Sequence, residues 1–249
     1  MKHLHYSLLY LSAALLLVSC DSGNIQDKVY TVDEKGLTVK VTAQVSHLSE
    51  WEGTGYTLAV AGFTEDSKFA LLQRALPSGT EDGTAVSLVL SNISPEVQTV
   101  EVALTNSLRK RIISLATIDM TEHADKTAHD TIRLDLGTVD AGRLGILQAG
   151  IFNRACIQCH GASGRSAAGL NLTEGNAYDA LVDVASTRRE GFLRVASGNA
   201  EGSLLHLILS EGGENLLTHN HTEILSSQFK SHLEEVEALI DSWIERPTR

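Results

Sequence analysis

Cys156-Ile157-Gln158-Cys159-His160 places two thiols and an imidazole within five consecutive positions. In the C-x-x-C-H order, the two thiols add across the two vinyl groups of haem, and the intervening pair sets their separation. The histidine that follows lies beneath the ring, with an imidazole nitrogen toward the iron. Two other chemistries use parts of this pattern. A closed zinc site needs a second pair of Cys or His ligands, and no further Cys pair exists in the chain. A thioredoxin-like dithiol follows a strand, whereas Leu144, Leu147, Ile151 and Phe152 repeat at helical spacing ahead of Cys156. The reading is one covalent haem c on Cys156 and Cys159, with His160 as the iron ligand.

Two kinds of element must position this motif. From Val29 to about Leu136 the pattern has period two, as in Leu37-Thr38-Val39-Lys40-Val41 and Val100-Glu101-Val102-Ala103-Leu104. Turn clusters such as Asp33-Glu34-Lys35-Gly36 and Glu52-Gly53-Thr54-Gly55 separate the runs. Such alternation marks half-buried strands, and seven or eight of them predict an all-β sandwich of immunoglobulin-like type, with a small barrel as the alternative. There is no Cys–Trp–Cys core signature, so this is an architecture and not a family.

After Gly142 the texture turns helical. Helices are expected before Cys156, over 177–184 and over 203–209. A last one has a Ser231-x-x-Glu234 capping box and an apolar face of Leu233, Val236, Ile240, Trp243 and Ile244, and ends at Pro247. The expected organisation is a multidomain chain. A β-sandwich over 29–141 precedes a small all-α cytochrome c-like domain over 142–249, whose thin core a large cofactor would complete.

The flanks of the motif resemble a family. The stretch Gly150-Ile151-Phe152-Asn153-Arg154-Ala155-Cys156 through Gly161 is similar to the opening of class I c-type cytochromes. Gly169-Leu170-Asn171-Leu172, Arg194-Val195-Ala196-Ser197-Gly198 and Ile240-Asp241-Ser242-Trp243-Ile244 resemble single-haem domains of membrane-anchored bacterial proteins. The resemblance covers about 142–246. It implies that Phe152 packs on Trp243 beside the haem and that Arg194 belongs to the cofactor-binding segment. Two departures stand out. Ser197 replaces the family's proline, which removes its fixed backbone geometry but leaves carbonyls to accept the imidazole N–H. The family's methionine ligand is missing, since the chain has only Met1 and Met120. His219-Asn220-His221 occupies that segment. His221 is the expected sixth ligand, with His219 as the alternative; His206, His232 and Lys230 are weaker candidates.

The N-terminus reads as an export signal. Ser7 to Ser19 is apolar or small and too short to span a bilayer, and Leu17-Val18-Ser19-Cys20 resembles a bacterial lipobox. This implies a signal peptide over 1–19, lipidation at Cys20 and a tether over 20–28. Lipid and haem would then use all three cysteines. A net charge of −11 argues against nucleic acid as a partner.

The expected function is a membrane-anchored electron carrier in the bacterial cell envelope, with His/His ligation and a redox protein as partner. An enzyme is the less favoured class. The alternative is a haem sensor, gas binder or peroxidase-like site with an open sixth position.

Overall fold

The computed structural model describes residues 36–249 apart from Ser78, Ala128, Ser163 and Arg165. The expected signal segment, Cys20 and the tether lie outside the described residues.

Alternation in the sequence becomes alternation in space. Strand β1 (Leu37–Ser46) buries Val39, Val41, Ala43 and Val45 on one face. It lies at the centre of a three-stranded sheet, antiparallel to β4 (Thr84–Ile93) and parallel to β7 (Thr131–Asp140). The second sheet runs β3 (Leu72–Ala75), β2 (Tyr56–Phe63), β5 (Thr99–Asn106), β6 (Arg111–Asp119), with antiparallel neighbours throughout. Leu58 and Val60 of β2, with Leu104 and Val102 opposite them, join Val41 and Leu88 of the first sheet in one core.

Adjacent residues Ile112 and Ile113 of β6 are both fully buried. Successive strand side chains point to opposite faces, so a second layer must cover β6. A helical stretch supplies it: α1 (Arg143–Leu147), a π-helical segment (Gln148–Cys156) and α2 (Ile157–His160). Gly150 rests on Ile113 so closely that a Cβ there would lie 2.5 Å from Ile113 Cγ1. Then come α3 (Ala177–Leu181), α4 (Leu204–Leu209), α5 (His221–Phe229) and α6 (Leu233–Glu245).

This overturns the expected fold class. There is no β-sandwich followed by a separate all-α cytochrome-like domain. Strand, at 33%, and helix, at 30%, share one compact mixed unit with a continuous core from Val39 to Ile244. The seam is also polar. Trp51 donates its indole N–H to the Ala141 carbonyl at 2.6 Å, and the Arg143 amide donates to Glu50 Oε2 at 2.8 Å. The Arg143 guanidinium donates to the Ser242 carbonyl at 3.0 Å, and Thr248 Oγ1 donates to Glu50 Oε2 at 2.8 Å. Lys110 pairs with Glu235 across the same seam. The helices are short and expose little that is apolar because the sheets already complete their core.

Three local expectations also change. The turn before Cys156 is π-helical, with Ile157 N–H donating to the Phe152 carbonyl five residues back. Helix α6 starts without the capping box: His232 is its N-cap, and Ser231 Oγ bonds His232 Nδ1 at 2.9 Å. A helix not among those expected, α5, begins at His221, and its N-cap Asn220 accepts from the Glu223 amide at 3.0 Å.

Candidate cofactor site

His160 ends α2 and His221 begins α5, so two helix termini face each other. Their ring centroids are 6.2 Å apart and their planes differ by 18°. His160 Nδ1 lies 3.0 Å from the Ala167 carbonyl, and His221 Nδ1 lies 2.9 Å from the His219 carbonyl. A carbonyl can only accept, so each Nδ1 carries the proton and each Nε2 keeps its lone pair. Burial holds both imidazoles below their ordinary pKa, against the opposing effect of those hydrogen bonds. Both side chains are therefore neutral at pH 7, the state a metal ligand needs.

The spacing fits a shared metal. A metal–imidazole bond of about 2.0 Å and a ring radius of roughly 1.1 Å put two imidazoles on one ion with centroids about 6 Å apart. Between the two histidines lies a shallow cleft of about 70 Å³, open to solvent and walled by Leu170, Leu181, Leu204, Ile208 and Leu217. Its lining, apolar with a few convergent polar groups, is of the kind that cofactor sites have. A second hollow, lined by Pro77, Thr84 and Val86, contains no His or Cys and is a surface groove.

Several contacts hold His160 in place. Leu172 N–H donates to the His160 carbonyl at 2.7 Å. The buried Gln148 amide donates to the Leu172 carbonyl at 2.9 Å and to Asn153 Oδ1 at 2.7 Å. On the opposite side, Thr222 Oγ1 ties α5 to the Ile208 carbonyl of α4 at 3.1 Å.

The two cysteines are unpaired. Cys159 is exposed beside His160; Cys156 is half-buried one turn earlier, packed against the core. Burial, with Cys159 beside it, pushes the Cys156 thiol up to about 12. A dithiol redox centre works through a thiolate of depressed pKa, so this environment opposes that reading. Among the described residues no group of three His, Cys, Asp or Glu side chains converges as a closed zinc site would require.

The other singled-out residues are placed as follows. Arg194 lines the cleft, but its guanidinium already donates to the Ala180 carbonyl at 2.7 Å and the Ala168 carbonyl at 3.1 Å. It thereby braces the turn that carries Ala167, the partner of His160. Phe152 and Trp243 are fully buried in the shared core, and Phe152 is not among the residues lining the cleft. The aromatic ring pairs among the described residues are Trp51–Tyr56, His160–His221 and Phe229–His232. Trp243 donates its indole N–H to the Thr248 carbonyl at 3.0 Å. His219 is exposed outside the cleft. His206 is bound to Asp241 Oδ1 at 2.8 Å, and His232 is half-buried against Phe229 rather than in solvent.

Sequence reasoning missed the Ala167 carbonyl and the Gln148 clamp. Neither has a local signal. The Asn220-x-x-Glu223 spacing, by contrast, could have revealed α5.

In comparisons with protein-family models, curated proteins and solved structures, the chain has no significant match.

Proposed function

We propose that the chain binds one haem c, which Cys156 and Cys159 would hold through thioethers and His160 and His221 through the iron, and carries electrons at the surface of a bacterial envelope membrane. The observation that carries this reading is the pair of imidazoles with centroids 6.2 Å apart, each Nδ1 bonded to a carbonyl and each Nε2 without a hydrogen-bond partner among the described residues. When bound, the haem supplies a one-electron iron couple. The protein's part is to hold both imidazoles neutral and oriented, and to wall the site with leucines.

Two strong-field nitrogen ligands favour a low-spin iron with little reorganisation between oxidation states, which suits transfer rather than catalysis. Imidazole in place of thioether should give a lower potential than a Met-ligated centre has. Anchoring would be through lipid at Cys20, as the lipobox resemblance implies.

The test uses the chain matured with a c-type haem system. Acid–acetone extraction should leave haem on the protein, and Cys156→Ala or Cys159→Ala should impair its attachment. The spectrum should be six-coordinate and low-spin. Complete release of haem would refute covalent attachment. A high-spin iron that binds carbon monoxide at once would overturn electron transfer in favour of a sensor or peroxidase-like site.

A further inference from the structure

Five large apolar side chains stand exposed among the described residues: Phe69, Leu71, Val89, Leu108 and Ile224. Three of them gather at one corner of the second sheet. Phe69 pairs with Lys110 across an antiparallel bridge. Ala70 N–H donates to the Arg109 carbonyl at 2.9 Å, and Arg111 N–H donates to the Lys68 carbonyl at 2.8 Å. The Arg109 guanidinium reaches the Leu71 carbonyl at 3.4 Å. These contacts set residues 68–71 alongside 109–111, next to Leu108, which tips the turn between β5 and β6.

That turn is tightly held. Asn106 Oδ1 accepts from the Leu108 amide at 3.0 Å and the Lys110 amide at 2.9 Å, and Arg109 N–H donates to the Asn106 carbonyl at 2.8 Å. Leu108 is thus presented on an ordered turn at 71% exposure. Single exposed apolar residues are ordinary, whereas clustered ones mark contact surfaces.

Cations lie along the segments that carry the cluster. Lys68, Arg74 and Arg109 have no ion-pair partner among the described residues, while Lys110 is paired with Glu235. Glu65 and Asp66 are the acids of the same loop. The local balance is slightly positive in a chain of net charge −11. Three side chains fall far short of the roughly 20–30 residues a side that a stable protein interface uses. A lipid surface needs no matching partner shape. Apolar tips enter the boundary of headgroups and acyl chains while cations meet the phosphates.

We propose that the corner formed by Phe69, Leu71 and Leu108 is a membrane-contacting surface that seats the folded unit on a bilayer containing anionic lipid. The inference rests on the membrane-anchored reading. Residues 21–36, between Cys20 and β1, could extend at most about 55 Å. Such a tether would keep the unit near the bilayer without orienting it, and the corner sets the orientation.

The test places tryptophan at Leu108 in the full, lipid-modified chain, reconstituted in vesicles of phosphatidylcholine and phosphatidylglycerol with and without bromine on the acyl chains. Native Trp51 and Trp243 are buried and give a constant background. Leu108→Trp should be quenched several-fold more by brominated lipid than Val89→Trp, an exposed position on β4 in the other sheet. Lys68→Gln with Arg109→Gln, or removal of phosphatidylglycerol, should weaken the difference. Equal quenching at the two positions would overturn the proposal. So would a lipid-free, concentration-dependent shift of the Leu108→Trp emission, which would make the corner a self-association surface. Anchoring is read separately, by retention of the unaltered chain and of Cys20→Ala on vesicles at high salt. Retention without Leu108→Trp quenching defeats the corner alone; quenching without Cys20-dependent retention defeats the anchor alone.

Discussion

Adding one methyl group at Gly150 tests whether the helical segment before the haem-type motif is built onto the sheet. Gly150 lies in the π-helical segment and has no positive φ, so without a neighbour in the way Gly150→Ala would be expected to stabilise by up to about 1 kcal/mol. Here the new Cβ would lie 2.5 Å from Ile113 Cγ1. Ile113 is fully buried and branched at Cβ, so it has no flexible end to swing aside. Overpacking of this kind costs about 1–3 kcal/mol, and this site should sit near the upper end. The net expectation is a loss of about 2 kcal/mol, or a fall in Tm of about 4–8 °C for a unit of this size.

The partner substitution sharpens the test. Val at position 113 would keep a Cγ1 atom, so it should give little relief. Ala removes the clashing atom and alone costs about 2–5 kcal/mol. The new methyl then occupies part of the vacated space, so Gly150→Ala with Ile113→Ala should be less destabilised than the sum, with a coupling of about 0.5–3 kcal/mol. Thermal unfolding of the four chains by circular dichroism measures the cycle. A Gly150→Ala chain that is more stable than the parent, or a double variant that is strictly additive, would show that the helix does not rest on β6.

Other outcomes follow from the same contacts. His221→Met should keep the haem-loaded chain low-spin and raise its potential, His221→Ala should admit carbon monoxide, and His219→Ala should do neither; unchanged spectra for both single Ala variants would exclude both histidines as ligands. Gln148→Leu leaves the Leu172 carbonyl and Asn153 Oδ1 without their donor, and should cost about 1–3 kcal/mol in chemical denaturation; a neutral result would mean the clamp is not formed. His47, 2.9 Å from Asp140 Oδ1, is raised in pKa by that hydrogen bond and by the charges of Asp140, Asp82 and Glu50, against burial. Its stabilisation should be fully present below about pH 6.5 and lost as pH rises through the folded value. The side chain is about half exposed, so the effect stays within roughly 0.2–1 kcal/mol. His47→Asn, which tolerates the left-handed backbone at φ 58, should remove that pH dependence; an unchanged stability profile from pH 5 to 8 would contradict the assignment.

Much was legible along the chain. The period-two runs at Leu37-Thr38-Val39-Lys40-Val41 and Val100-Glu101-Val102-Ala103-Leu104 lie in β1 and β5, and the apolar spacing of Leu233, Val236, Ile240, Trp243 and Ile244 lies in α6. The capping box failed because Ser231 found a nearer partner in His232. The all-α domain failed for a different reason. Helical periodicity reports that one face is apolar, but not whether that face meets another helix or a sheet.

What the sequence determined by itself is the chemistry carried by consecutive residues: thiols and imidazole in C-x-x-C-H, alternating strands, and a region after Gly142 without methionine. Each of these depends only on neighbours along the chain. The tertiary structure decided which imidazole faces His160, which carbonyl orients each ring, and which strand covers the helix at Gly150. Those depend on contacts such as His160–His221, Gln148–Leu172 and Gly150–Ile113, whose partners are distant in sequence and meet only when one core closes over both sheets and helices.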